Sequence, residues 1–173
     1  VLDRFRSFEA LMEPQLNRLF NLRPKASFEV KATEKFREAG ANAQYMQPSR
    51  DGKRPGIFYE VVPDPLKYNY FSMEGLYIHE AIPGHHYQVA IQQEADIPEF
   101  RKSYQTSAFG EGWALYAESL GTELGMYTDP YQYMGRLNNE IERAVRLVVD
   151  AGIHHKGWTR EEAIAYVLEN QPV

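Results

Sequence analysis

Val1, Leu2, Phe5, Phe8, Met12, Leu16 and Leu19 follow one another in helical phase, the signature of a helix burying one face. This predicts a helix over residues 1–22 that stops at Arg23-Pro24. From Phe28 to Thr33 the period drops to two, and Gly56 to Val62 is a second run rich in β-formers, so residues 28–62 should make a small β region. Between the runs, residues 48–56 are dense in turn formers, with Asp51-Gly52 as a candidate tight turn. Beyond Ser72 the helical spacing returns. Helices are expected over Ser72 to Ala95, Ser107 to Leu124 with Gly125 past the end, Pro130 to Gly152, and a last one through Asn170. Asp129 offers an N-cap to a helix whose first residue is Pro130, and Thr159-Arg160-Glu161-Glu162 reads as a capping box. The expected fold class is mostly α (α+β), a helical core over residues 72–173 with a small antiparallel sheet or hairpin. An edge of that sheet could receive an extended peptide by β-addition, or the sheet could be a plain flap over the helices.

A chain of 173 residues can bury a core as one unit. Its net charge of −5 argues against nucleic acid or an anionic membrane as the main partner. With no cysteine, disulfides and thiol catalysis are excluded. No run of about 18 apolar residues is present, so no membrane contact is expected from this segment.

The chemistry concentrates where the histidines do. All five fall in two short clusters, the first within His79-Glu80-Ala81-Ile82-Pro83-Gly84-His85-His86. In the zinc-peptidase sequence H-E-x-x-H, histidines at i and i+4 share a helix face and bind the metal, and the glutamate activates its water. Here i+4 is Pro83, which ligates nothing, and His85 and His86 come two and three residues later. On a straight helix His85 would lie about 120° from the His79 face, and His86 about 20° from it but roughly 10 Å further along the axis. A kink or bulge at Pro83-Gly84 is therefore expected. A third ligand is on offer at Glu111, at the head of the apolar run Gly112-Trp113-Ala114-Leu115-Tyr116. An uncompensated buried carboxylate costs several kcal/mol, so it needs a partner, and a metal would serve.

Glu111-Gly112-Trp113-Ala114 with Tyr116 is similar to the E-G-x-A-x-Y segment of gluzincin peptidases, and Gly84-His85 resembles the G-H ending of the thimet-type and angiotensin-converting-enzyme motifs. The 25 residues between His85 and Glu111 are close to the gap in those enzymes. The string from His79 to Gln88, then Glu111 to Glu118, then Arg146 to Ile164 most closely resembles the bacterial domain-of-unknown-function family 885, over about Pro55 to Gln171. The resemblance implies a helical zincin-like catalytic domain holding Zn²⁺ through His79, His85 and Glu111, with Glu80 as general base in hydrolysis of a peptide or other small amide. It favours His85 over His86 as second ligand, leaving the other to line the pocket. Proteins of that family run to several hundred residues, and this chain starts at Val1 with no initiator methionine. It is expected to be the catalytic segment of a longer polypeptide, with the remainder as a partner and with export or lipid anchoring open through residues preceding Val1.

Other residues carry paired readings. Glu118, seven positions after Glu111, could accept a hydrogen bond from a ligand histidine or be a solvated helix charge. His154, in the cluster Asp150-Ala151-Gly152-Ile153-His154-His155, could donate to the oxyanion of the reaction with Asp150 orienting it, or could simply answer the helix macrodipole. Arg136, Arg143 and Arg146 share a broad helix face, where one could clamp a substrate carboxylate or all could pair with Glu140 and Glu142. Two further functional classes are a catalytically inactive binding domain on the same scaffold and a hydrolase of a non-peptide amide or ester. Glu80 argues against the first, because a binder needs no general base.

Overall fold

The structure, a computed structural model, describes residues 1–171. The last two positions of the expected helical core, 172 and 173, lie outside them. Helix α1 (Leu2–Leu19) buries Phe5, Phe8, Met12 and Leu16, the stripe its spacing implies. Three strands follow, β1 (Phe28–Ala32), β2 (Gln44–Met46) and β3 (Gly56–Glu60). The remainder is helical: a 3-10 turn (Tyr70–Ser72), α2 (Met73–Glu80), α3 (His85–Glu94), α4 (Glu99–Ser103), α5 (Ser107–Ser119), α6 (Pro130–His154) and α7 (Arg160–Asn170).

The sheet order is β1-β3-β2, with β1 and β3 parallel and β2 antiparallel to β3. The expected antiparallel sheet is thus a mixed one. The connection from β1 to β3 is long enough for the crossover that parallel pairing requires, and it carries β2, a strand too short to show a period. All of β3 is buried, and Phe58 meets the Phe5 ring edge-on at 5.2 Å. The core lies between α1, the sheet and α2. Helix α2 is buried along nearly its whole length, Leu76 excepted. Every polar residue on it, His79 and Glu80 included, therefore needs a partner or a purpose.

The single kinked helix expected from Ser72 to Ala95 is two helices. The chain leaves α2 at Glu80, passes a cis Ile82–Pro83 bond and restarts at His85. A Cβ on Gly84 would stand 2.0 Å from the His79 carbonyl oxygen and 2.2 Å from that of Ile78, so only glycine lets the turn fold back onto α2. Trp113 on α5 donates its indole N–H to the Pro83 carbonyl at 2.7 Å and holds the break in place. Helix α5 stops at Ser119, not Leu124, because the chain turns through Gly121 and Gly125, the latter at φ +81°. Helix α6 runs to His154, capped by the Asp129 side chain, and the expected capping box of α7 is formed by Thr159 and Glu162. Among the described residues, no helix is long and apolar enough to cross a membrane.

Candidate metal centre

The break after α2 decides the geometry. By ending α2 one residue past His79 and restarting α3 at His85, it brings the two rings to a centroid distance of 4.7 Å at 85°. Glu111 approaches from α5, its carboxylate oxygens 3.4 Å from His79 Nε2 and 3.5 Å from His85 Nε2. One donor atom from each of His79, His85 and Glu111 lies within 4.8 Å of the others. Donors held at about 2.1 Å from a tetrahedral ion stand roughly 3.4 Å apart, so the spacing suits a divalent cation such as zinc. His79 Nδ1 donates to Glu118 Oε1 at 2.7 Å, which fixes the tautomer and leaves the Nε2 lone pair facing Glu111. Glu118 is buried and its Oε2 has no partner among the described residues.

Charge points the same way. Counted as carboxylates, Glu80, Glu111 and Glu118 face one permanent cation, Arg143, whose Nη1 is 3.4 Å from Glu111 Oε2 and whose Nη2 is 3.4 Å from His79 Nε2. The group is two positive charges short with Glu80 ionised and one short with Glu80 protonated. Burial, joined by the charges of Glu111 and Glu118 and opposed by His79 and Arg143, pushes the Glu80 carboxyl up to about 7. Burial, with His79 and Arg143 beside it, pushes the His85 ring down to about 4, so it is neutral and offers a lone pair.

Of the remaining sequence candidates, His86 is fully buried but turned away from the cluster. Its Nε2 donates to the Ala26 carbonyl at 3.0 Å, which leaves Nδ1 to accept from the Tyr45 hydroxyl at 2.9 Å. Both ring nitrogens are used in fastening α3 to the sheet region, so His86 neither ligates nor lines the site. His154 and Asp150 are 74% and 79% exposed and face each other at 3.7 Å near the end of α6. That end is roughly 16 Å further along the helix axis than Arg143. No contact among the described residues joins His154 or Asp150 to the cluster, so nothing in this placement supports the oxyanion role expected of His154 or the orienting role of Asp150. Arg146 pairs with Glu142 on the surface of α6 at 2.6 Å and lies outside the site.

Other contributors lie outside the motifs. Tyr127, a non-glycine at φ +60°, donates its hydroxyl to the Glu118 carbonyl at 3.0 Å, while its own N–H is held by Glu74 at 2.5 Å. That pair anchors the end of α5 that carries Glu118. Glu60, the last residue of β3, is buried close enough to Glu80 to feel its charge, and burial lifts its carboxyl to about 7. A glutamate closing an otherwise apolar strand was the only hint. Beside the ligands, a cavity of about 180 Å³ between α3 and α5 is lined by His85, Gln88, Gln92, Gln105, Ser107 and Glu111. Adjoining it across Gln88 and Gln92, an apolar groove of about 740 Å³ is lined by Phe20, Tyr87, Ile91, Phe109 and Trp113 among others.

Comparison with known proteins extends the match beyond the motif-bearing half. Residues 1–173 match the family described as "Bacterial protein of unknown function (DUF885)", and the chain belongs to that family. The crystal structure of "the putative lipoprotein from Colwellia psychrerythraea" is similar, with a TM-score of 0.91 and 39% identity over 99% of this chain. This chain spans 30% of the length of that one. No curated protein matches.

Proposed function

We propose that this DUF885 chain carries the metal centre of a gluzincin-like hydrolase that cleaves amide bonds in peptides. The observation that carries the reading is the meeting of His79, His85 and Glu111 from α2, α3 and α5, their donor atoms within 4.8 Å of one another in a cluster short of positive charge. These residues would hold zinc, which when bound supplies Lewis acidity toward a water and the scissile carbonyl. Glu118 orients His79 and fixes the tautomer whose Nε2 faces the site. Glu80 takes the proton of the attacking water and returns it to the departing amine, a task suited to a carboxyl whose environment lifts it toward neutrality. The lipoprotein description of the similar Colwellia protein supports an exported, lipid-anchored parent, in which this segment works on extracytoplasmic peptides.

In the full-length protein, about one zinc per chain is expected by elemental analysis, and Glu80→Gln should keep the zinc but lose about 10²- to 10⁴-fold in hydrolysis of a peptide library. Equal turnover by wild type and variant removes Glu80 as the base. Zinc retention without turnover by either favours a binding domain, and zinc far below stoichiometric sinks the site.

A further inference from the structure

We propose that Arg143 is the catalytic electrophile of this centre, donating hydrogen bonds to the carbonyl oxygen of the scissile amide as that oxygen becomes negative; the proposal rests on the amide-hydrolase reading above. It takes the role that sequence spacing suggested for His154.

Three observations single out Arg143. Arg136 and Arg146 are each taken by a glutamate one helical turn away, Glu140 at 2.8 Å and Glu142 at 2.6 Å. Arg143 has no such partner on α6 and extends instead across to α2 and α5. Its contacts there are loose: both are 3.4 Å, whereas a guanidinium locked in a structural ion pair closes to about 2.7–2.9 Å. Most of its five donors are uncommitted among the described residues, and its side chain is 33% exposed, open to a ligand. Finally, those contacts go to Glu111 and His79, so it stands beside two of the residues that would hold the metal. The Nε2 lone pair of His79 can serve the guanidinium or a metal but not both, so a filled site releases Nη2 for substrate.

A permanent cation beside a divalent metal site is repelled by it and disfavours metal binding. That arrangement makes sense if the cation acts on charge that develops during reaction. The oxygen of water adds to the carbonyl carbon, its proton goes to Glu80, and the π pair moves onto the carbonyl oxygen, where the Arg143 donors meet it. Collapse of that adduct breaks the C–N bond, and Glu80 hands the proton to the amine. A fixed charged donor aimed at the oxyanion is worth about 10²- to 10³-fold in kcat.

The test compares Arg143→Gln and Arg143→Lys with Arg146→Gln in the full-length zinc-loaded protein. Two of its readouts do not depend on turnover. Zinc affinity, measured by competition with a chromophoric chelator, should be unchanged or tighter in Arg143→Gln. Calorimetric affinity for a phosphonamidate peptide, an anionic tetrahedral mimic, should fall about 10²-fold or more in Arg143→Gln and less in Arg143→Lys, which keeps the charge but not the fork. The value of kcat should fall in parallel with that affinity while KM stays within a few-fold of wild type, and Arg146→Gln should match wild type throughout. Loss of zinc in both Arg143 variants overturns the proposal in favour of a structural role, as does unchanged phosphonamidate affinity or absence of phosphonamidate binding by wild type. A rise in KM confined to peptides with a free C-terminal carboxylate, absent for their amides, overturns it in favour of a carboxylate clamp. If wild type binds zinc and phosphonamidate but cleaves nothing, the hydrolase reading fails and the binding comparison alone decides Arg143.

Discussion

Two adjacent histidines, His85 and His86, have opposite fates, and the difference lies in what their ring nitrogens meet. His85 keeps an Nε2 lone pair 3.5 Å from the Glu111 carboxylate, while His86 uses both nitrogens on Ala26 and Tyr45. The substitutions should separate cleanly. His85→Ala should lose zinc, and with it the stability the ion confers, but match wild type when both are metal-free, whereas His86→Ala should keep zinc stoichiometry and lose roughly 2–4 kcal/mol, because a partly buried carbonyl and a hydroxyl lose their partners. Zinc analysis beside denaturant unfolding reads both, and loss of zinc on His86→Ala with an intact fold would put the wrong histidine on the metal. The placement of His85, not His86, beside His79 and Glu111 was legible only through the likeness of Gly84-His85 to known motifs; rotation along a straight helix would have favoured His86. The partners of His86 come from residues 41 and 60 positions away, and no local pattern announces them.

Among the elements, the helices were legible because their apolar stripes and caps are local: Phe5, Phe8, Met12 and Leu16 for α1, Asp129 for α6, Thr159 with Glu162 for α7. The break between α2 and α3 was legible as a perturbation but not as a shape. Pro83 forbids a regular helix, yet whether the chain kinks or reverses depends on the close approach of Gly84 to the α2 carbonyls and on the indole of Trp113, both tertiary facts. The sheet shows the same limit, since a parallel β1–β3 pair is joined by long-range contact that strand periodicity does not encode. The break has a sharp test. Gly84→Ala cannot be accommodated without moving α2 from α3, because backbone oxygens, not a pliable side chain, stand 2.0 Å and 2.2 Å from the new methyl. It should weaken zinc binding as much as loss of a ligand, and zinc affinity within a few-fold of wild type would mean that the turn is more forgiving than its geometry.

On the scale of the whole molecule, the cluster acts as a fastening between elements that are otherwise separate in the chain. His79 is the penultimate residue of α2, His85 begins α3 and Glu111 belongs to α5, so an ion bound to all of them would bind only the folded arrangement. Linkage then makes zinc a stabiliser: free zinc at about 1,000 times its dissociation constant adds roughly 4 kcal/mol. It would also relieve the repulsion among Glu80, Glu111 and Glu118 that one arginine leaves uncompensated. Thermal unfolding of the full-length protein should therefore move to lower temperature when a chelator removes the metal and recover when zinc is restored. In Glu111→Ala the melting temperature should be indifferent to chelator, since two histidines alone hold the ion weakly. A chelator shift of equal size in that variant would place the stabilising metal elsewhere in the protein, and no shift in the wild type would leave the cluster as a buried charge network without its proposed ion.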